Sequence, residues 1–387
     1  MQFAVGGLIN ATEEIAEAGD PAYLRVRITT VGYAAPAAPA SALAPVEQPW
    51  TPVNSTTIGS TSVAFGVFSA ACWLTGRDLF NGLGRATPLG LVASSVSGTP
   101  IQAWAPAAAL AACAQPPNDP YKTQASALWN GMVAPWSVGP FSFLGAIWWQ
   151  GEANAAVNQT AYYACQLPAL ISSWRDHLPG LWFGVVQLQA FSKYAAHNDT
   201  YDVPWLRDAQ AAALALPNVS LATAIDLGDP TQPCPPCNIH NRNKQPAGAR
   251  LAAGALALRF GRALPHASPR ATGGACSASG GSLRVVAAFD GAARAAGGLA
   301  LRPRQPCPPA VPPQLCSGLG ILGSDGVWRA ADDGAAVGPE GDSVAFAAPA
   351  PEGVRPVKHG YAWSAYPVPT IFTEEGGLPA LPWLLDC

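Results

Sequence analysis

The stretch from Leu144 to Asn154 constrains this chain more than any other. An apolar run, Leu144 to Trp149, stops abruptly at Gln150-Gly151-Glu152-Ala153-Asn154. A buried strand that delivers an amide, a carboxylate and a second amide at its C-terminal end reads as the edge of an open α/β sheet, where ligands bind. Gly151 lets the backbone turn there without a Cβ clash. The plain alternative is a strand end with a polar cap.

The surrounding pattern supplies a sheet for that strand. Tyr23–Val31, Leu89–Ala93, Trp182–Leu188 and Val219–Leu227 read as strands. Helical spacing is expected over Ser60–Leu83, around Ile101, Trp104 and Leu110, over Leu128–Val133, over Trp205–Leu216, and from beyond His240 to Phe260. Tyr163, Leu167, Leu170, Ile171 and Trp174 recur as one apolar helical face. Ala34–Val53, rich in Ala and Pro, reads as an irregular loop. Alternating strands and helices predict a mostly parallel sheet covered on both faces, a three-layer α/β/α domain. Past Ala263, Gly and Pro punctuate short β-like runs, such as Ser282–Phe289 and Ser343–Ala347, which predict a small β-rich domain. The boundaries drawn are 1–262 for the main domain and 263–354 for the β-rich one, with 355–387 returning to the main domain.

Composition narrows the class. Only 12% of the residues are charged and the net charge is −3, which offers no basic face for nucleic acid. No apolar run is long enough to predict a membrane span. Five N-x-S/T sequons (Asn10, Asn54, Asn158, Asn198, Asn218) and nine cysteines point to an oxidising, secreted or lumenal compartment. An odd cysteine count leaves at least one thiol outside an intrachain pair. The histidines show neither HxH nor HExxH spacing, so no metal centre is predicted.

Several residues carry candidate chemistry. His240 follows a late strand and can reach the sheet edge as a general base; its alternative is a surface loop histidine. Cys234-Pro-Pro-Cys237 has CxxC spacing and reads as a structural disulfide or a simple loop. Ser94 and Ser95 end a strand, but no G-x-S-x-G elbow surrounds them or occurs elsewhere. Glu152 with Asp226 or Asp229 offers the two carboxylates of a glycosidase.

Taken together, the segments resemble the sialate O-acetylesterase family of SGNH-type hydrolases. The matching pieces are Phe68–Arg77 (FSAACWLTGR), Pro88–Ser95 (PLGLVASS), Gly98–Trp104 (GTPIQAW), Leu128–Asn130, Trp148–Asn154 (WWQGEAN), Pro168–Ile171 with Trp174-Arg175, Ile239-His240 with Lys244-Gln245, Tyr361–Trp363 and Gly377–Ala380. The resemblance implies an SGNH-like fold and hydrolysis of an O-acetyl ester on a sugar, with sialic acid as the namesake substrate and with no cofactor. A serine attacks the acetyl carbonyl while His240 takes and returns its proton. Gln150 and the Ser97–Gly98 turn stabilise the oxyanion. Glu152, Asn154, Arg207 and Gln210 are the further substrate-binding candidates, or else they hold Gln150 and the loops in place.

Three departures accompany the resemblance. The family's nucleophile lies in a Gly-Gln-Ser-Asn-Met segment, and Met1-Gln2 with Ile9–Thr12 fits the residues just after it. The serine, its strand and a signal peptide are therefore expected upstream, and a chain starting at Met1 is expected to have little activity. Ser97 replaces a usual glycine, where a positive φ is costly. Cys237 stands three before His240, where the common pattern has aspartate. The rival readings are a catalytically inactive carbohydrate-binding protein and an acetylesterase acting on plant-type polysaccharide.

Overall fold

The computed structural model describes residues 3–59, 68–114, 124–155, 159–191, 202–231, 239–309, 311 and 316–387. The chain divides into two compact units. The first holds 1–188, 209–222 and 240–262; the second holds 189–208, 223–239 and 263–387.

The first unit contains two three-stranded sheets. In one, β1 (Val26–Thr30) lies between β2 (Gln48–Pro52) and β3 (Leu89–Ala93), in the order β2-β1-β3. In the other, β5 (Trp182–Gln187) lies between β4 (Gly145–Trp148) and β6 (Val219–Thr223). β1 pairs with β3 in parallel from Val26↔Leu89 to Thr30↔Ala93, and β4 pairs with β5 in parallel from Gly145↔Trp182 to Trp148↔Val185. β2 is antiparallel to β1. It falls within the stretch expected to be loop. Its Pro49 and Pro52 lack an N–H to donate and are tolerated because the strand is an edge.

The helices are α1 (Ala11–Glu17), α2 (Ser55–Ile58), α3 (Ala70–Gly82), α4 (Ala107–Ala111), α5 (Thr160–His177), α6 (Val203–Ala211) and α7 (Gln245–Phe260). α3 and α7 pack closely because Gly248 has no side chain; a Cβ there would sit 2.5 Å from the Leu74 Cβ. Val5, Tyr23, Ile28, Phe68, Trp73 and Phe80 form one core of this unit. The helix expected around Ile101 to Leu110 is instead a 3₁₀ turn over Ile101–Ala103 followed by α4. Pro106 separates the two, since it cannot continue the preceding hydrogen-bond ladder. Leu128–Val133 similarly narrows to a single π turn over Trp129–Val133. The strand expected over Val219–Leu227 ends at Thr223.

The second unit is β-rich. β7 (Ala271–Ser279), β8 (Ser282–Phe289), β12 (Ala336–Val337) and β13 (Ser343–Pro349) form a sheet in the order β12-β13-β8-β7. α8 (Gly291–Ala295) follows β8. β10 (Leu319–Gly323), β11 (Trp328–Ala330), β14 (Pro356–Tyr361) and β16 (Trp383–Asp386) form a second sheet, β11-β10-β14-β16. β9 (Leu299–Leu301) and β15 (Ile371–Thr373) pair separately. Alternate residues of β8 and β13 are buried, and Val285, Ala287, Val344 and Phe346 meet Ile321, Tyr361 and Trp383 in one core. The segment 355–387 supplies β14 and β16 to a sheet of the second unit. The second unit is discontinuous, drawing in 189–208 and 223–239.

Among the described residues three disulfides join Cys113 to Cys165, Cys276 to Cys387 and Cys307 to Cys316. Among the described residues Cys72 is the free cysteine, and it is buried. Cys234 and Cys237 lie outside the described residues, as do the sequon asparagines Asn158 and Asn198. Among the described residues no helix is long and apolar enough to cross a membrane.

Candidate active site

The loops that follow β3 and β4 meet. The loop after β3 turns at Gly98, whose φ of 70° falls in the left-handed region. That conformation is carried by the glycine and not by Ser97, so the serine that departs from the family pattern bears no backbone strain. The turn is braced by Thr99, whose hydroxyl donates to the Val96 carbonyl at 2.8 Å and accepts from the Trp104 indole at 2.9 Å.

The chain after β4 turns at Gly151 (φ 150°) into a short 3₁₀ segment, Glu152–Asn154. Gln150 ties this turn to the first loop. Its amide nitrogen donates to the Asn154 Oδ1 at 2.8 Å and to the Thr99 carbonyl at 3.2 Å. Asn154 is fully buried and saturated. Its Oδ1 also accepts from the Ile101 N–H at 2.9 Å, and its Nδ2 donates to Gln102 at 3.0 Å and Gln159 at 3.2 Å. Glu152 is half-buried beside them.

Tyr163 of α5 completes the frame. Its hydroxyl donates to the Gln150 Oε1 at 2.9 Å and accepts from the Trp148 indole at 3.0 Å. Burial pushes this phenol well above its ordinary range, so it is a fixed hydrogen-bond group and not an acid–base one. Gln210 is also fully buried. Its Nε2 donates to the Gln150 carbonyl at 3.0 Å and the Val186 carbonyl at 3.1 Å, and its Oε1 accepts from the Leu188 N–H at 3.0 Å. Tyr163 was legible in the sequence only as one apolar face position. Its signal was chemical, because a buried tyrosine hydroxyl requires a partner.

His240 is half-buried, with its ring centroid 6.5 Å from that of Phe3. Four residues on, the Lys244 ammonium lies 3.8 Å from the Trp149 ring centroid and 5.0 Å from that of Phe3, and it donates to the Asn241 Oδ1 at 3.1 Å. Lys244 therefore ties the His240 loop to the residue just before Gln150. Cys237, three before His240, lies outside the described residues.

The remaining candidates have partners of their own. Arg207 belongs to the second unit, fully buried, with its guanidinium donating to the carbonyls of Ser364 (2.6 Å), Gln189 (2.7 Å) and Ala365 (3.0 Å). Burial works against its charge, and the three carbonyls compensate. That is the pattern of a structural clamp on backbone. Asp226 and Asp229 also belong to the second unit, where Asp229 accepts from the Thr231 hydroxyl at 3.1 Å. Ser94 donates to the Met132 carbonyl at 3.0 Å. Among the described residues no cluster of His, Cys, Asp and Glu is arranged to hold a metal ion.

Beneath these loops lies a cavity of about 950 Å³, wholly within the first unit. Ser95, Thr99, Trp149 and Gln150 line it at the loop end.

Comparison with known proteins adds three findings. The profile of the family described as "Carbohydrate esterase, sialic acid-specific acetylesterase" matches residues 59–253, half of the chain. The sialate O-acetylesterase of Homo sapiens is 34% identical over 281 residues, covering 67% of this chain and 52% of the human protein. That of Rattus norvegicus is 32% identical over 310 residues, covering 67% and 55%. The chain thus spans about half the length of the curated relatives it matches. Among solved structures, a carbohydrate acetylesterase from Xanthomonas citri superposes with a TM-score of 0.79 at 27% identity, covering all of this chain and 78% of that one.

Proposed function

Because the chain belongs to the sialic acid-specific acetylesterase family of carbohydrate esterases, we propose that it hydrolyses O-acetyl esters on sugars, with acetylated sialic acid as the first substrate to test. The observation that carries this reading is the Gln150 clamp. A side-chain amide is held rigidly between the loops that follow β3 and β4, with its oxygen occupied by Tyr163 and its nitrogen turned toward Thr99. A tetrahedral oxyanion forming there would take over the N–H that the Thr99 carbonyl holds at the longer distance, with backbone N–H groups of the Ser97–Gly98 turn beside it. Such donors cost no reorganisation at the moment of reaction, and one of them typically accounts for about 10²–10³ in rate.

In this reading His240 removes the proton of an attacking serine and returns it to the departing sugar hydroxyl. The serine is the nucleophile that the family resemblance implies, and Lys244 holds the histidine loop against the Trp149–Gln150 turn. In the same reading Glu152 contacts the sugar, while Asn154 and Gln210 hold Gln150. The three disulfides fit a secreted or lumenal site of action, and glycosylation at the exposed Asn10 and Asn218 belongs with it.

The test is acetate release from an O-acetylated sialic acid and from an acetylated plant polysaccharide, comparing this chain with a form extended by an added Gly-Gln-Ser-Asn segment before Met1. The extended form is expected to release acetate, and His240→Ala to lower the rate by on the order of 10⁶. Release by the unextended chain that disappears in Ser94→Ala or Ser95→Ala would move the nucleophile into the chain itself. Sugar binding without release by either form would favour the inactive binding protein.

A further inference from the structure

We propose that Trp328, with the ion pair beside it, is a binding platform for one neutral pyranose ring of a carbohydrate chain, on the outer face of the sheet β11-β10-β14-β16. That the ligand is a sugar rests on the proposed function; the platform itself rests on how the indole is held. Trp328 opens β11 and pairs with Leu322 of β10. On the same face, Gly320 of β10 pairs with Gly360 of β14. A Cβ at Gly320 would meet the Trp328 Cε3 at 3.3 Å and Cζ3 at 3.5 Å, and one at Gly360 would meet Cη2 at 3.7 Å. The indole of an edge strand thus reaches toward β14, two strand spacings or about 9–10 Å away. A strand side chain ordinarily stands up from its sheet, and this one is laid along it.

Two facing glycines make that posture possible. Glycine inside a strand gives up side-chain packing and marks a place where another group comes close. Here the group is the indole, and Gly360 beneath it is buried although it lies on the outer face. The inner face of the same strands carries Ile321, Tyr361 and Trp383, which belong to the second unit's core. Trp328 is on the other side and adds nothing to that core. It stays 49% exposed, so a ring resting on the sheet presents its free face outward.

Area and charge decide what covers that face. A tryptophan buries about 150–250 Å² when wholly covered, so the open part is on the order of 100 Å², against about 800 Å² a side for a stable protein partner. The other apolar members of this face add little, since Ala330 is small and Leu322 and Leu384 are already half-buried. The open area is that of one sugar ring. In line with Trp328 and Leu322 across the sheet come Lys358 and Asp386, paired in register and joined as an ion pair. Together they carry no net charge and offer donors and acceptors side by side, which suits hydroxyl groups and gives a ligand carboxylate no advantage. A pyranose with equatorial hydroxyls, gluco- or xylo-configured, sets a flat face of C–H groups against an indole and a rim of hydroxyls against such a pair. The carboxylate and glycerol tail of a sialic acid fit the platform less well.

The experiment is calorimetric titration of the whole chain with cellohexaose, xylohexaose and sialyllactose, repeated on Trp328→Ala, Gly320→Val and Lys358→Met. Circular dichroism and thermal melting report that each variant is folded. The expected result is saturable binding of a neutral oligomer that Trp328→Ala weakens by at least about tenfold, the scale of one aromatic stacking contact. Gly320→Val, which displaces the ring without removing it, weakens binding as well, and Lys358→Met does so to a smaller extent. Absence of binding by both neutral oligomers, binding that Trp328→Ala leaves unchanged, or a preference for sialyllactose overturns the proposal. Self-association that Trp328→Ala abolishes assigns the face to a second copy and overturns it too. Titration reads no turnover, so Trp328-dependent binding without acetate release leaves the platform standing and counts against the ester chemistry. Acetate release without such binding does the reverse.

Discussion

The Tyr163 hydroxyl stands 2.9 Å from the Gln150 side-chain oxygen and receives the Trp148 indole N–H from its other side. With its oxygen so engaged, the Gln150 amide has one orientation, nitrogen toward Thr99 and Asn154. In the proposed reaction Gln150 thus owes its readiness as a donor to Tyr163, which acts only through it. Tyr163→Phe is expected to lower kcat about tenfold in the extended, serine-bearing form while leaving KM within about twofold, because the amide becomes free to flip. The loss of a buried hydrogen bond should also cost about 1 kcal/mol. Steady-state kinetics with a denaturant midpoint checks both; a fall in stability with unchanged kcat would reduce Tyr163 to a structural role.

Asn154 is the node through which the loops after β3 and β4 are joined. Asn154→Leu strands the Ile101 N–H and the Gln102 and Gln159 oxygens in the interior, and each such group costs about 1–3 kcal/mol. A loss of roughly 3 kcal/mol or more is expected in urea unfolding, against about 1 kcal/mol or less for the half-buried Glu152→Gln.

In the second unit, buried His359 accepts the Trp383 indole N–H on its Nδ1 at 3.1 Å, and burial lowers its pKa from the ordinary value. A histidine held neutral in the folded state binds its proton more readily once unfolded. Its contribution is therefore complete above about pH 6.5 and is lost as the pH falls below that value toward the lowered folded pKa. Thermal unfolding should show this unit weakening between pH 7 and pH 5. His359→Gln, which keeps an acceptor and does not titrate, should flatten that slope.

The Cys276–Cys387 disulfide closes a separation of 111 residues in the second unit, joining β7 to the residue that follows β16. By closure entropy such a loop is stabilised by roughly 4–5 kcal/mol. Cys276→Ser is expected to lower the melting temperature of this unit by more than ten degrees. Removing the nine-residue Cys307–Cys316 link should cost less.

The sequence exposed the parts of this molecule governed by local rules. The run ending in Gln150-Gly151 is a strand and a turn because apolar β-formers meet a glycine. β5 and α5 follow equally plainly from their patterns. The parts it obscured depend on distant partners. β2 hides in a stretch of Ala and Pro because what makes it a strand is β1. Arg207 reads as a substrate-binding cation, yet its donors are fixed by carbonyls from as far away as Ser364 and Ala365. β14, which follows Arg355, pairs with β10, more than thirty residues earlier, and no periodicity records that pairing.

Cys72 remains. Its thiol forms part of the cavity wall, and burial pushes its pKa up to about 12. In a molecule whose other described cysteines are oxidised, this sulfur stays reduced and chemically quiet for as long as the wall is shut. It amounts to a native reporter. The rate at which a maleimide dye captures Cys72 would time the breathing of that wall, with no label engineered in.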